Sequence, residues 1–273
     1  MVHLEVLRWK TGQAPDEAGF PFAIAAVRSL EALTFDSAVA FFVGDNGSGK
    51  STLLEAIAVA ANLPTVGARD SRRDETLAAQ RRLADALRLV WTKRATRGFF
   101  LRAEDFFGYV QRLATERVGL ETRLDELEAE YLERGRSAYA LGLAQGPMRS
   151  SLAEMTRRYG TDLDANSHGQ GFLRLFRARF VPEGLHLLDE PEAALSPQSQ
   201  LALLATLIDM TARGAQFIVA THSPILLGYP GAQIVSFDQT PPAVVEYESL
   251  DHVRITRDFL NDRERFLRHL RDG

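Results

Sequence analysis

Cysteine is absent from the 273 residues, which excludes disulfide staples and thiolate-ligated zinc or iron–sulfur centres. Lysine is scarce: Lys10, Lys50 and Lys93 stand against 29 arginines, and the net charge is −4. A surface coated throughout for nucleic-acid backbones is therefore excluded, although a local basic patch is not. No apolar run approaches the roughly 18 residues that a membrane-spanning helix needs. The opening VHLEVLRW alternates like a strand rather than running apolar like a secretory leader,. With no cysteine, this leads to the expectation of a cytoplasmic protein. There is no internal repeat and no low-complexity tract.

What is present suffices for one sizeable core with an appended lobe: 45% of residues are hydrophobic and 25% charged,. VHLEVLRW, FAIAAV and AVAFFV read as strands in the first 43 residues,. STLLEAIAVAANL has helical apolar spacing up to Pro64,. Between Arg69 and Ala103 there are ten basic residues and four acidic ones. This pattern fits a solvated helix face or, alternatively, a nucleic-acid surface. RGFFLRA, within that stretch, reads as a strand.

From Phe106 to Arg134 the apolar residues follow a seven-residue rhythm broken at Arg117, which predicts a helix about 43 Å long. It fits either a helical lobe, bounded at about 104–165, or the stub of a coiled coil. RGRSAYALGLAQGPMRSS then breaks the pattern with glycines and Pro147. GFLRLFRARF reads as helix, GLHLLDE as strand, PQSQLALLATLIDMTARG as helix and AQFIVAT as strand. Ser196 is placed as an N-cap before Pro197, and Gly214 is placed to end that helix,. Such alternation predicts a sheet of parallel strands covered by helices. Residues 250–273 read as a final charged helix.

One of the three lysines lies in Gly44-Asp45-Asn46-Gly47-Ser48-Gly49-Lys50-Ser51, which fits G-x-x-x-x-G-K-[ST] between a predicted strand and helix,. Glycines there let backbone N–H groups curl around phosphate and the helix N-terminus adds positive potential. Lys50 reaches the outer phosphates and Ser51 is suited to Mg²⁺. The strand LHLLDE ends in Asp189 and Glu190. At the end of a buried strand two carboxylates are costly unless a metal or a proton transfer uses them; the alternative is a strand that simply ends in charge. Asp189 would hold Mg²⁺ and Glu190 would polarise the attacking water. His222, 33 residues after Asp189 and at the end of QFIVAT, is either a sensor of the γ-phosphate or a core or capping histidine. NSHGQGF places Ser167, Gly169 and Gln170 at the start of another helix, either as a plain cap or as a second phosphate-facing terminus completed by another molecule.

Taken together, these motifs in this order resemble an ATP-binding-cassette ATPase over about residues 1–250. GDNGSGKSTLLEAIA, LLDEPEAALSP and ATHSPILL resemble the soluble RecF, SMC and overcoming-lysogeny group of compact AAA-type ATPases more than transporter cassettes. Ser223 and Pro224 follow His222, where transporter cassettes commonly carry aspartate next.

The resemblance implies an α/β P-loop fold with a mixed core sheet flanked by helices, N-terminal antiparallel strands and an inserted helical lobe. It implies ATP and Mg²⁺ as ligands. Asn46, Gly47, Ser48, Gly49, Lys50, Ser51 and Thr52 would bind nucleotide, Ser51 and Asp189 would hold the metal, and Lys50, Glu190 and His222 would act in catalysis. Ser167, Gly169 and Gln170 would contact the nucleotide of a second, head-to-tail copy. His168 stands where the family usually has glycine. No glutamine marks the Q-loop, whose position Glu104 would take as a contact to water or Mg²⁺. The inserted segment is too short for SMC-type arms.

The function expected is an ATP-hydrolysing switch that dimerises on ATP, with a DNA or protein partner in DNA maintenance or defence. The alternatives are the ATPase subunit of a membrane transporter and a nucleotide-dependent binding module that does not hydrolyse. Phe20, Phe22 and Arg28 are either adenine contacts or core and surface residues.

Overall fold

Long apolar runs form the core strands and an alternating run forms the outer sheet. The computed structural model describes residues 1–11, 19–65, 78–159, 173 and 176–271. The strands are β1 (Leu4–Trp9), β2 (Ala32–Thr34), β3 (Val39–Val43), β4 (Leu87–Trp91), β5 (Gly98–Arg102), β6 (Leu185–Asp189), β7 (Gln216–Ala220), β8 (Gln233–Ser236) and β9 (Ala243–Val244).

Six strands form a sheet in the order β5-β6-β7-β3-β8-β9. All are parallel except β9. VAFFV and QFIVA are buried along their whole length, as expected of parallel strands covered on both faces. The other sheet, β2-β1-β4, is antiparallel. Its register shifts between Leu4 and Val6, and Leu4 and Leu7 are both fully buried. A bulge of this kind turns two residues three apart towards one core.

The helix Lys50–Ala60 shares that core with both sheets: its Leu53, Leu54 and Ile57 belong to one cluster with Leu4, Leu7, Phe42 and Leu187. Gln216, fully buried in β7, ties the sheets together: its Oε1 accepts the N–H groups of His3 and Leu4 at 2.8 Å.

Residues 1–103 with 180–273 form one compact unit and 104–179 another. The second unit contains the helix Ala103–Glu133 from its second residue onward and the helix Ala138–Tyr159. Buried Gln145 donates Nε2 to the carbonyl of Leu124 at 3.3 Å, pinning one helix to the other.

Three local expectations changed. FAIAAV is not a strand but leads into a helical turn, Ala25–Arg28. A short apolar run without alternation suits either state, and here Phe22, Ala26 and Val27 turn inward together,. Pro147 lies inside the helix Ala138–Tyr159 instead of breaking it. A proline there removes one N–H, a loss that the remaining hydrogen bonds of a 22-residue helix outweigh,. The tail is two helices, Asp251–Asn261 and Arg263–Arg271, divided at Asp262, whose Oδ1 accepts the N–H of Arg265 at 3.1 Å.

Candidate nucleotide site

Parallel strands place their carboxyl ends along one edge. Register pairs Arg102 with Asp189, Asp189 with Ala220, and Phe42 with Ala220. The loop after β3, the acids after β6 and the histidine after β7 therefore come together, although sequence separates them widely.

The loop needs glycine for physical reasons. Gly44 has φ 140° and a Cβ there would stand 2.9 Å from Asp238 Oδ1. Gly49, at φ 105°, would put a Cβ 2.8 Å from Ile24 Cγ2. The helix starts at Lys50, so its first N–H groups lack carbonyl partners within the helix and face the loop. Asp238 Oδ1 accepts the N–H of Asp45 at 2.7 Å, bracing the loop from β8. Asn46 and Gly47 are exposed, and Ser48 and Thr52 are half-buried.

Lys50 is buried, and its Nζ donates to the carbonyls of Gly44 at 2.6 Å and Asp45 at 2.9 Å. Burial holds its pKa below that of an ordinary lysine, against opposing pulls from Glu190 and Asp189. Ser51 Oγ donates to Asp189 Oδ1 at 2.9 Å. Burial pushes Asp189 up to about 7, with the Ser51 hydrogen bond working against it. A buried carboxylate beside a hydroxyl supplies two oxygen ligands of the kind a divalent cation takes, and a bound cation would restore the carboxylate's charge. Ser48 Oγ is buried without a hydrogen-bond partner, as a loop built to close on an anion would leave it. The residues present thus fit Mg-ATP: Ser51 and Asp189 for the metal, Ser48 and Lys50 for the phosphates.

Glu190 has left-handed backbone, φ 48° and ψ 48°, and its N–H donates to Ala220 O at 2.9 Å. Its Oε1 lies 3.8 Å from His222 Nε2, and both side chains remain 45% and 39% exposed, so they line an open rim. His222 Nε2 has no hydrogen-bond partner.

Glu104 stands in the first turn of the helix Ala103–Glu133. Ser167, Gly169 and Gln170 lie outside the described residues. Phe22 is buried against Trp9 while Phe20 and Arg28 are exposed.

The structure adds residues that sequence reading passed over. Glu55, one turn after Ser51, meets Arg102 at 3.4 Å and Gln80 at 2.6 Å in a buried network beside Asp189. The only signal for this was a charge at the inner face of an apolar helix. Asp238, an acid ending the apolar IVSF, could have been found by the argument that singled out Asp189. Glu192, largely buried, accepts the backbone N–H of His222 at 2.6 Å. Burial raises its pKa, opposed by hydrogen bonds from the His222 and Glu192 N–H groups and the Thr221 hydroxyl.

A protein-family model described as "AAA domain, putative AbiEii toxin, Type IV TA system" matches residues 61–228, and an AAA-domain model matches residues 22–85. The cytochrome c biogenesis ATP-binding export protein CcmA of Rhodospirillum rubrum is 30% identical over 253 residues, covering 84% of this chain and 92% of the relative. Among solved structures, cbiO1 from Clostridium perfringens, part of the ABC transporter complex cbiONQ, is 15% identical. It covers 100% of both chains at a TM-score of 0.48. The Smc head domain of Pyrococcus furiosus, with an extended coiled coil and bound to the C-terminal domain of ScpA, is 13% identical at a TM-score of 0.43. That match covers 95% of this chain and 100% of the other.

Proposed function

Because the chain belongs to the AAA-domain, ATP-binding-cassette ATPases, which hydrolyse ATP, we propose that it is a molecular switch closed by Mg-ATP between two head-to-tail copies. The observation that carries this reading is the open rim at the carboxyl edge of the sheet. The Glu190 and His222 side chains are 45% and 39% exposed, although His222 Nε2 itself is shut off from solvent, so the carboxylate that meets water needs a second surface to exclude bulk solvent.

In this reading Lys50 leaves the two loop carbonyls for the outer phosphates of ATP, and the loop N–H groups and Ser48 orient the chain of phosphates. Ser51 and Asp189 hold Mg²⁺, which when bound neutralises phosphate charge. Glu190 accepts the proton of the attacking water. His222 donates to the γ-phosphate and reports its loss. Ser167, Gly169 and Gln170 of the second copy complete the enclosure, and Glu104 orients water. Hydrolysis opens the pair.

The test is the solution mass of Glu190→Gln with Mg-ATP, against 30.3 kDa for one chain. A doubled mass that reverts on nucleotide removal is expected; an unchanged mass with ATP bound rejects closure. Lys50→Ala, which should neither dimerise nor release phosphate, is the control.

For the partner we favour DNA or a soluble protein. Arg88, Arg94 and Arg97 are exposed, leaving cationic groups available, whereas Lys93 is paired with Glu183 at 3.1 Å. ATP turnover stimulated by double-stranded or single-stranded DNA at moderate salt supports DNA, and an indifferent rate favours a protein. The likeness to CcmA, an export protein by name, supports a second reading as a transporter ATPase subunit. That reading requires ATP-dependent retention of the chain by an integral membrane protein.

A further inference from the structure

Each strand of the parallel sheet uses its N–H groups in the ladder until the strand ends. At the edge of the site Glu190 N–H still reaches Ala220 O at 2.9 Å, and Thr221 N–H reaches Phe42 O at 3.1 Å. His222 is the first residue beyond the ladder, so its N–H needs another acceptor. Glu192 Oε1 supplies one at 2.6 Å. Glu192 lies in the turn Pro191–Ala194, of which Glu190 is the N-terminal cap. One carboxylate therefore links the segment carrying Glu190 to the segment carrying His222. The histidine's Nε2, with no hydrogen-bond partner, faces Glu190 Oε1 at 3.8 Å.

We propose that Glu192 is a positioning residue for ATP hydrolysis, holding the backbone of His222 so that its imidazole stays opposite Glu190. The proposal rests on the reading that His222 serves the γ-phosphate. Two features separate positioning from mere support of the loop. The next residue, Ser223, has anchors of its own on the far side: its hydroxyl donates to Gln200 and accepts the N–H of Leu226 at 3.1 Å, while its N–H reaches Thr221 Oγ1 at 3.0 Å. Losing Glu192 thus frees the N–H of His222 and the Thr221 hydroxyl while the turn that starts at Ser223 keeps its cap. Glu192 Oε2 is shut off from solvent with no hydrogen-bond partner, so Glu192→Gln keeps the acceptor oxygen for the His222 N–H, at a cost in stability for an amide nitrogen left unpaired at the Oε2 position.

The experiment measures steady-state ATP hydrolysis by Glu192→Ala, Glu192→Gln, His222→Ala and the Glu192→Ala/His222→Ala double variant, with thermal melts to verify folding. Glu192→Ala should lower kcat on the order of 10- to 100-fold, the cost of a displaced catalytic group, with KM for ATP within about threefold. Glu192→Gln, keeping an oxygen acceptor, should return within about threefold of wild type. The double variant should be no slower than His222→Ala alone, because both remove the same contribution. A wild-type kcat in Glu192→Ala overturns the proposal, as does a double variant in which the two losses multiply. His222→Ala with wild-type kcat instead removes the reading of His222 itself, and the positioning role with it.

Discussion

The hydroxyl of Ser51 donates to Asp189 Oδ1 at 2.9 Å, although 138 residues separate them. One begins the helix after the phosphate loop and the other ends a strand two places along the sheet from β3. In the proposed reading this pair would hold the cation, which sets activity against stability.

Asp189 is pushed up to about 7 by burial. A folded pKa above the unfolded one gives a stability contribution that is complete below about pH 4 and is lost as pH rises to about 7. Asp189→Asn should therefore raise the melting temperature of the nucleotide-free protein at pH 8 in chelator. It should also reduce Mg-dependent hydrolysis on the order of 100-fold or more, as expected when metal stabilisation of phosphate charge is lost. Calorimetry and phosphate release check the two halves. A lower melting temperature would contradict the burial argument.

Gly49 combines φ 105° with a Cβ position 2.8 Å from Ile24 Cγ2. Gly49→Ala should cost about 1–3 kcal/mol in denaturant unfolding and abolish nucleotide binding. Adding Ile24→Ala removes the clash but not the backbone strain, so some of the stability loss should persist.

His186, fully buried in β6, stacks against Phe217 and meets Phe99 and Phe180, and burial lowers its pKa to about 4. The unfolded chain takes up this proton near pH 6.5 while the folded chain does not. Stability should thus fall by up to about 3 kcal/mol between pH 6.5 and 4. In His186→Leu that share of the slope should vanish when unfolding is followed across the same pH range.

Arg102 and Glu55 have side chains only 10% exposed each and lie 3.4 Å apart. Arg102→Met, which removes one cationic partner of a buried carboxylate, should destabilise by about 1–3 kcal/mol. The Arg102→Met/Glu55→Leu double variant should recover at least about half of that. Additive losses would show that the two charges do not depend on each other.

Sequence made the strand-loop-helix unit legible because GDNGSGKS combines glycine spacing with a lysine and serine whose chemistry is local. It also made the parallel core strands legible, since VAFFV, LHLLD and QFIVA are continuous apolar runs of strand length. Ser196 and Pro197 announced a helix start, and Ser196 does accept the N–H of Ser199 at 3.3 Å. FAIAAV was ambiguous because six apolar residues carry no period. Pro147 misled because one lost hydrogen bond does not outweigh those formed by the rest of a 22-residue helix,.

By itself, then, the sequence determined the family, the strand and helix alternation and the chemical types in the site, because these depend on residues near one another in the chain. Tertiary structure alone decided which distant residues act together. The pairing of Ser51 with Asp189, the brace of Asp238 on the loop and the hold of Glu192 on His222 follow from strand order and register. No local propensity fixes the order β5-β6-β7-β3-β8. It comes from burying all the apolar strands and their covering helices at once, and that packing lines up the carboxyl ends where the site forms.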